Sequence, residues 1–129
     1  MDIDRATRLL LVFYAIGFLP VALLGWFAPD LLFSTIGVQI TDAAGYAEVR
    51  AAYGGHFFAA SALFAVGAGR AEVRETSLRM GTLILAGFVF GRLLSLGLEG
   101  VPNVYAWATL ALESTGLVLG LILIRLRAG

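Results

Sequence analysis

The chain has 129 residues, of which 60% are hydrophobic and 14% are charged, with a formal net charge of zero and no cysteine. Soluble domains average about 45–50% apolar and about 25% charged residues, so this composition excludes an ordinary soluble domain and predicts a single membrane domain over residues 1–129. The lack of cysteine excludes disulfides, thiolate metal sites and cysteine nucleophiles, and the lack of a long basic run argues against nucleic acid as a partner.

The first apolar stretch covers about residues 6–27, and about 20 apolar residues are enough to cross the hydrocarbon core of a bilayer. Its charged start and apolar body are also typical of a signal peptide. It lacks a small-x-small cleavage site before a soluble domain, and more apolar segments follow it. We therefore predict a retained first span, with Pro20 as a point where the helix can kink.

A short amphipathic helix is predicted between spans one and two, within the segment APDLLFSTIGVQITDAAG. Pro29 can open a helix, and Asp30 suits its first turn. The apolar residues that follow would let this helix lie along the membrane surface. They are Leu31, Leu32, Phe33 and Ile36.

Spans two, three and four are predicted at about residues 46–69, 77–97 and 104–124, each long enough to cross a bilayer. The connections RAEVRE and EGVPN are short, so consecutive helices should pack antiparallel. The predicted fold is an all-α, integral membrane, up-down four-helix bundle with a short interfacial helix between spans one and two.

The placement of arginine predicts how the bundle crosses the membrane. In the four-span arrangement, seven of the nine basic residues fall on one side, and the other side holds acidic residues and Arg only near helix ends. Because cytoplasmic loops carry an excess of Lys and Arg, we expect a multi-pass protein of the inner (cytoplasmic) membrane with both termini cytoplasmic. The seven are Arg5, Arg8, Arg70, Arg74, Arg79, Arg125 and Arg127.

Polar side chains in spans two, three and four predict a ligand site in the outer half of the membrane. A charge facing lipid at mid-membrane costs at least about 2.5–3.5 kcal/mol, so these side chains should turn inward and find partners. At about 1.5 Å per residue they form a shallow layer and a deeper layer that contains His56 and Glu113, and His56 should face a protein-lined interior. The predicted ligand-binding residues are Arg50, Tyr53, His56, Arg92, Ser95, Glu99 and Glu113.

Plainer interpretations of these residues remain open. Arg50 could only reach up to the headgroups, and Arg92 could form a bridge within its helix to Glu99. Glu113 is either protonated and hydrogen-bonded, or ionised beside Arg92 or His56, because desolvation and a nearby cation shift a carboxyl pKa in opposite directions. One His and no Cys make a transition-metal site improbable, and no catalytic residue is predicted.

The glycines of the spans are assigned to helix packing. The two GxxxG patterns, Gly87 to Gly91 and Gly116 to Gly120, would let helix backbones approach closely. We expect this packing within the chain, because four spans already need interfaces. The predicted packing residues are Gly54, Gly55, Gly87, Gly91, Gly116 and Gly120.

The segments PDLLFSTIGV, EVRAAYGGHFFAASALFAVGAGR and GFVFGRLLSLGLEGVPN, with an acidic residue in span four, give nearly the whole chain a family resemblance. It resembles a bacterial four-span membrane family defined as a domain of unknown function, related in architecture to the DoxX-like membrane proteins. The resemblance implies a shared polar site, and it brings no activity with it. Some DoxX-like proteins are associated with quinone-linked oxidoreductases, which offers a quinone or lipid partner by analogy alone. The matching positions are Arg50, Tyr53, Gly54, Gly55, Gly91, Arg92, Ser95 and Glu113.

Several functions fit these residues. The first is a membrane protein that binds a small amphipathic or anionic ligand, such as a lipid or a quinone-like molecule, between spans two, three and four. The alternatives are an accessory or structural subunit of a larger membrane complex or a homodimer, a proton-coupled small transporter, and an intramembrane enzyme that uses Glu113 or His56. The sequence contains no nucleophile–base pair and no cofactor motif, so we favour binding over catalysis. A quinone or a lipid is the possible cofactor.

Overall fold

The computed structural model describes residues 2–101 and 103–129. Within them the chain is helical, and four helices are long and apolar enough to cross a membrane, which confirms the predicted all-α fold. Span two is one continuous helix (Ala43–Gly69) that contains a π-helical segment. The helices are α1 (Ile3–Phe27, span one), α2 (Pro29–Ser34), α3 (Ala43–Val49), the π-helix (Arg50–His56), α4 (Phe57–Gly69), α5 (Ala71–Leu98, span three) and α6 (Val104–Ala128, span four).

Side-chain caps set the starts of three spans. The carboxylates of Asp2 and Asp42 accept hydrogen bonds from backbone N–H groups in the first turns of α1 and α3, and the Asn103 side chain does the same for α6. These caps satisfy amide groups that have no partner inside the helix. Span three begins at Ala71, six residues before the predicted start, because charged residues can extend a helix beyond the hydrocarbon core.

The four spans pack tightly at one end of the bundle and diverge at the other. Asp4 of span one forms ion pairs with Arg74 of span three and with Arg127 of span four. We call this the termini end, and the opposite end, which holds α2 and the turn at Gly100, the far end. The ion pairs place the first, third and fourth spans in the up-down order that the short connections predicted.

The hydrophobic core lies toward the termini end. Its buried residues come from spans one, two and three, and they are Leu10, Leu11, Tyr14, Phe18, Phe64, Ala68, Leu78 and Leu85. Span three has no buried residue beyond Leu85, and among the described residues of span four the first buried one is Gly116. Spans three and four therefore leave a space against span one at the far end.

The short helix α2 packs on the far ends of spans one and two. Leu32 and Phe33 are buried with Val49 in a second apolar cluster, which Tyr53 also contacts. The Tyr46 hydroxyl donates a hydrogen bond of 2.8 Å to the Asp30 carboxylate and ties α2 to span two. The apolar residues predicted to lie along the membrane surface are therefore of two kinds. Leu32 and Phe33 contact other parts of the protein, and Leu31 and Ile36 are exposed.

Candidate functional site

An ion pair between spans three and four lies in the far half of the bundle. Arg92 donates from Nε to Glu113 Oε2 at 2.6 Å and from Nη2 to Oε1 at 2.8 Å. The Arg92 side chain is 33% exposed and that of Glu113 is 13% exposed. Of the partners considered for Arg92, the structure selects Glu113 over Glu99. Two parallel N–H···O bonds fix both the distance and the orientation of the two groups.

The ion pair borders a cavity of about 530 Å³. Span one and spans three and four line most of it, and span two contributes Tyr53 and Phe57. The ligand site is predicted among spans two, three and four, whereas this cavity is also lined by span one. Cavities of about 300–1,000 Å³ are typical of small-molecule sites.

Aromatic side chains form one wall of this cavity. Phe57 and Phe88 are stacked with ring centroids 5.8 Å apart, and Phe18 lies 6.0 Å from Phe88. Tyr53 continues the stack, at 5.8 Å from Phe57 with nearly parallel rings. This wall is largely apolar, and the Arg92–Glu113 pair is the charged border of the cavity.

On its side between spans one and four, the cavity is bordered by exposed residues. Ile16 of span one and Leu112 of span four both line it, and they are 66% and 54% exposed at the outer surface of the bundle. In a bilayer this surface faces acyl chains. We call this cavity the lateral groove.

A second, smaller cavity of about 270 Å³ lies between spans three and four, toward the far end. Gly91 and Arg92 line both cavities. Ser95 and Trp107 are among the other lining residues of the second one. We call it the upper cavity.

Arg50 lies away from both cavities. Its Nε donates a 3.3 Å hydrogen bond to the Trp26 carbonyl, and its guanidinium stands 5.5 Å from the centroid of the Tyr46 ring. Trp26 belongs to the last turn of span one, where backbone carbonyls have no partner inside the helix. The structure thus gives Arg50 the role of a helix cap.

His56 is exposed on the outer surface of the bundle, contrary to the prediction that it faces a protein-lined interior. The reason is the π-helix of Arg50–His56. A π-turn contains more residues than an α-turn, so a residue three positions after Tyr53 is rotated further from the cavity face.

The remaining predicted site residues lie in different places: some line the lateral groove, one lines the upper cavity and one lines neither. Tyr53 and Glu113 line the lateral groove, and Ser95 lines the upper cavity. Glu99 is exposed at the end of span three and lines neither cavity. Among the described residues, no three His, Asp or Glu side chains come together as a metal site would require.

The predicted packing glycines also fall into two groups. A Cβ on Gly54 would overlap the Trp26 indole, one on Gly116 would lie 2.7 Å from Leu85 Cδ1, and one on Gly120 would overlap Thr82. At Gly55, Gly87 and Gly91, a Cβ would meet no atom within 4 Å. Gly87 and Gly91 line the lateral groove, so this GxxxG pair keeps space open where a helix contact was expected.

Sequence reasoning missed Tyr14 and Arg74. The Tyr14 ring is buried beside Gly81 and Gly116, and its hydroxyl donates a 2.7 Å hydrogen bond to the Gly116 carbonyl of span four. A tyrosine in the middle of an apolar span is a usable signal, because a buried hydroxyl needs a partner. Arg74 was assigned only to the membrane surface, but it is 6% exposed and donates to the Gly67 carbonyl.

Comparison with protein families identifies the family of the chain. Residues 6–124 match the family described as a domain of unknown function (DUF4345). No curated protein and no solved structure matches the chain.

Proposed function

The chain belongs to the DUF4345 family of domains, and from that premise we propose that it is a membrane protein that binds one small amphipathic molecule in the lateral groove. The occupant is a lipid or a quinone-like molecule taken from the surrounding bilayer. Its apolar part lies on the aromatic wall of Phe57 and Phe88, and its polar part lies beside Arg92 and Glu113.

One observation carries this proposal: an apolar cavity that opens toward lipid ends at a charged pair. A purely structural bundle would gain contacts by filling this space, because protein interiors are normally close-packed. Gly87 and Gly91 instead leave it open at positions where an added Cβ would meet no atom within 4 Å. The combination of apolar walls with a few convergent polar groups is typical of a small-molecule site.

The pairing of Arg92 with Glu113 favours an uncharged polar group on the occupant. The Glu113 carboxylate already balances the charge of the Arg92 guanidinium. Arg50, the other cation among the predicted ligand-binding residues, caps span one. Arg has five N–H donors, and Glu113 takes two of them. The donors that remain suit a neutral acceptor such as a carbonyl oxygen.

We also propose how the protein is oriented in the membrane and in which leaflet this site lies. The excess of arginine at the termini end favours a cytoplasmic position for both termini in a bacterial inner membrane, with the groove in the outer leaflet and α2 at the membrane surface. The resemblance to DoxX-like proteins favours a quinone as one occupant, by analogy.

Replacement of Gly87 by Leu tests the proposal. The new side chain has room to enter the lateral groove, so it should block binding while leaving the fold intact. Gly97→Leu is the matched control, because Gly97 lies on the same span, has no neighbour within 4 Å and lines neither cavity. Lipids and quinones are extracted from the purified protein and counted per chain by mass spectrometry. We expect their number to fall about tenfold in Gly87→Leu and to stay unchanged in Gly97→Leu. A tenfold fall corresponds to a loss of about 1.4 kcal/mol of binding free energy.

Equal amounts of every extracted molecule in the two variants would contradict the proposal. The Arg92–Glu113 pair would then be a structural tie between spans three and four. Circular dichroism and thermal unfolding of both variants check that a loss of binding does not come from a loss of fold.

A further inference from the structure

The upper cavity adds hydrogen-bond donors above the Arg92–Glu113 pair. Arg92 forms part of its lining, and Ser95 and Trp107 bring a hydroxyl and an indole N–H. Glu113, the partner of Arg92, lines the lateral groove and is absent from the lining of the upper cavity. The side chains of Arg92 and Trp107 can only donate, and the Ser95 hydroxyl can donate or accept, so this lining favours an acceptor on the group that enters.

The depth of the upper cavity matches one layer of the bilayer. Span three has 28 residues and is about 42 Å long, close to the thickness of about 40–45 Å of a bilayer with its headgroups. The hydrocarbon core accounts for about 30 Å of this and the charged first six residues for about 9 Å, so the core boundary lies within the last turn of the helix. Ser95 and Trp107 lie three residues from the ends of their helices, at about 4.5 Å. The ester carbonyls of glycerolipids occupy this boundary.

We propose, on the basis of the proposed function, that the upper cavity is a subsite for the ester carbonyl of a diacyl glycerolipid. One acyl chain of the same molecule descends into the lateral groove. Arg92 lies between the two cavities and donates to the carbonyl oxygen while it keeps its two bonds to Glu113. Ser95 supplies a second donor.

An anionic headgroup fits the subsite less well than a carbonyl. The guanidinium of Arg92 is already neutralised by Glu113, and a phosphate placed against it would add a second negative charge in a region of low dielectric. A carbonyl oxygen accepts the same N–H groups without that repulsion. The subsite should therefore recognise the ester linkage and not the headgroup charge.

The experiment compares ester lipids with ether lipids. Dioleoylphosphatidylcholine and its dialkyl ether counterpart have the same headgroup and chain length and differ in the carbonyl groups. Native mass spectrometry of the purified full-length protein, titrated with each lipid in detergent, gives the bound fraction. We expect the diester to bind about tenfold more tightly, the size of one lost hydrogen bond to a charged group.

Two variants locate the preference. Ser95→Ala should reduce the preference for the ester, and Thr115→Ala, which removes a hydroxyl that donates to its own helix outside both cavities, should leave it unchanged. Gly87→Leu should weaken binding of both lipids about tenfold.

The outcomes separate this inference from the proposed function. Equal binding of diester and diether, with both weakened in Gly87→Leu, overturns the ester subsite and leaves groove binding in place. Tighter binding of dioleoylphosphatidylglycerol than of the choline lipid, whatever the linkage, overturns it in favour of an anion site. Binding that is indifferent to Gly87→Leu overturns both.

Discussion

At the scale of single residues, the Arg92–Glu113 pair joins two helices that are otherwise loosely packed at the far end. Both Glu113 oxygens accept from one guanidinium, the arrangement that gives charge-assisted pairs their strength. Ionisable groups within spans are costly unless they are paired. The pair therefore has a structural role in addition to the role we propose at the groove.

Removal of either partner should destabilise the protein more than removal of both. Arg92→Gln leaves an unpaired carboxylate and Glu113→Gln an unpaired guanidinium, and each should lower the free energy of unfolding by about 1–3 kcal/mol. The double variant leaves no lone charge and should recover part of this loss. Unfolding in mixed detergent micelles, followed by circular dichroism, gives the double-mutant cycle. Strictly additive losses would show that the two groups are not coupled.

At the scale of elements, arginines close the ends of two spans. Arg74 donates to the carbonyls of Gly67 and Ala68 at the end of span two, and Arg50 donates to Trp26 at the end of span one. Cations near the last carbonyls of a helix interact favourably with its dipole. Arg74 belongs to span three and caps span two, and Arg50 belongs to span two and caps span one. Each cap therefore also fixes how two helices meet.

Arg74→Gln and Arg79→Gln form a matched test of this capping role. Arg74 is buried and bonded to two carbonyls and to Asp4, so its loss should cost about 2–3 kcal/mol of unfolding free energy. Arg79 forms an exposed pair with Glu75 on the same helix, worth about 0.3–0.5 kcal/mol. The two variants remove the same charge within five residues of each other, and equal midpoints of unfolding would rule out the cap.

The helices also show which features could be predicted from the sequence and which could not. The patterns predicted four spans and their order, because length and hydropathy alone decide which helices suit a bilayer. They did not predict that His56 faces outward, since the π-helix that rotates it has no clear sequence signature. They placed Arg50 at the site, because depth in the membrane does not distinguish a ligand from a helix cap.

The composition of the groove could not be predicted for a related reason. Lipid and protein interior are both apolar, so the inward and outward faces of a span carry nearly the same residues. Phe88 lines the lateral groove and Phe90 is exposed, with no difference in chemistry between them. Polarity within an apolar span was the signal for the lining residues that were predicted, which are Tyr53, Arg92, Ser95 and Glu113.

At the scale of the whole molecule, the bundle is closed at one end and open at the other. The core and the ion pairs of Asp4 hold the termini end together, and both cavities lie toward the far end. A molecule that enters the groove thus meets a closed floor formed by residues such as Tyr14 and Leu85. This asymmetry agrees with the proposal that a ligand enters from one leaflet.

Cysteine labelling tests the proposed orientation directly, because the chain has no cysteine of its own. Single variants Glu72→Cys and Ala128→Cys report on the termini end, and Gln39→Cys and Val101→Cys report on the far end. In intact bacterial cells, a membrane-impermeant maleimide should label the far-end pair and spare the other pair. The reverse pattern would place the groove in the cytoplasmic leaflet.

The central claim, that a membrane molecule occupies the lateral groove, is tested most directly by nuclear Overhauser effects between lipid chains and the rings of Phe88 and Phe90 in lipid nanodiscs. Phe90 is 68% exposed at the outer surface and should contact acyl chains in any case. Phe88 lies two residues away inside the groove and can contact a chain only if one enters. The account predicts cross-peaks from chain methylenes to both rings, with those to Phe88 lost in Gly87→Leu. Cross-peaks to Phe90 alone would contradict it.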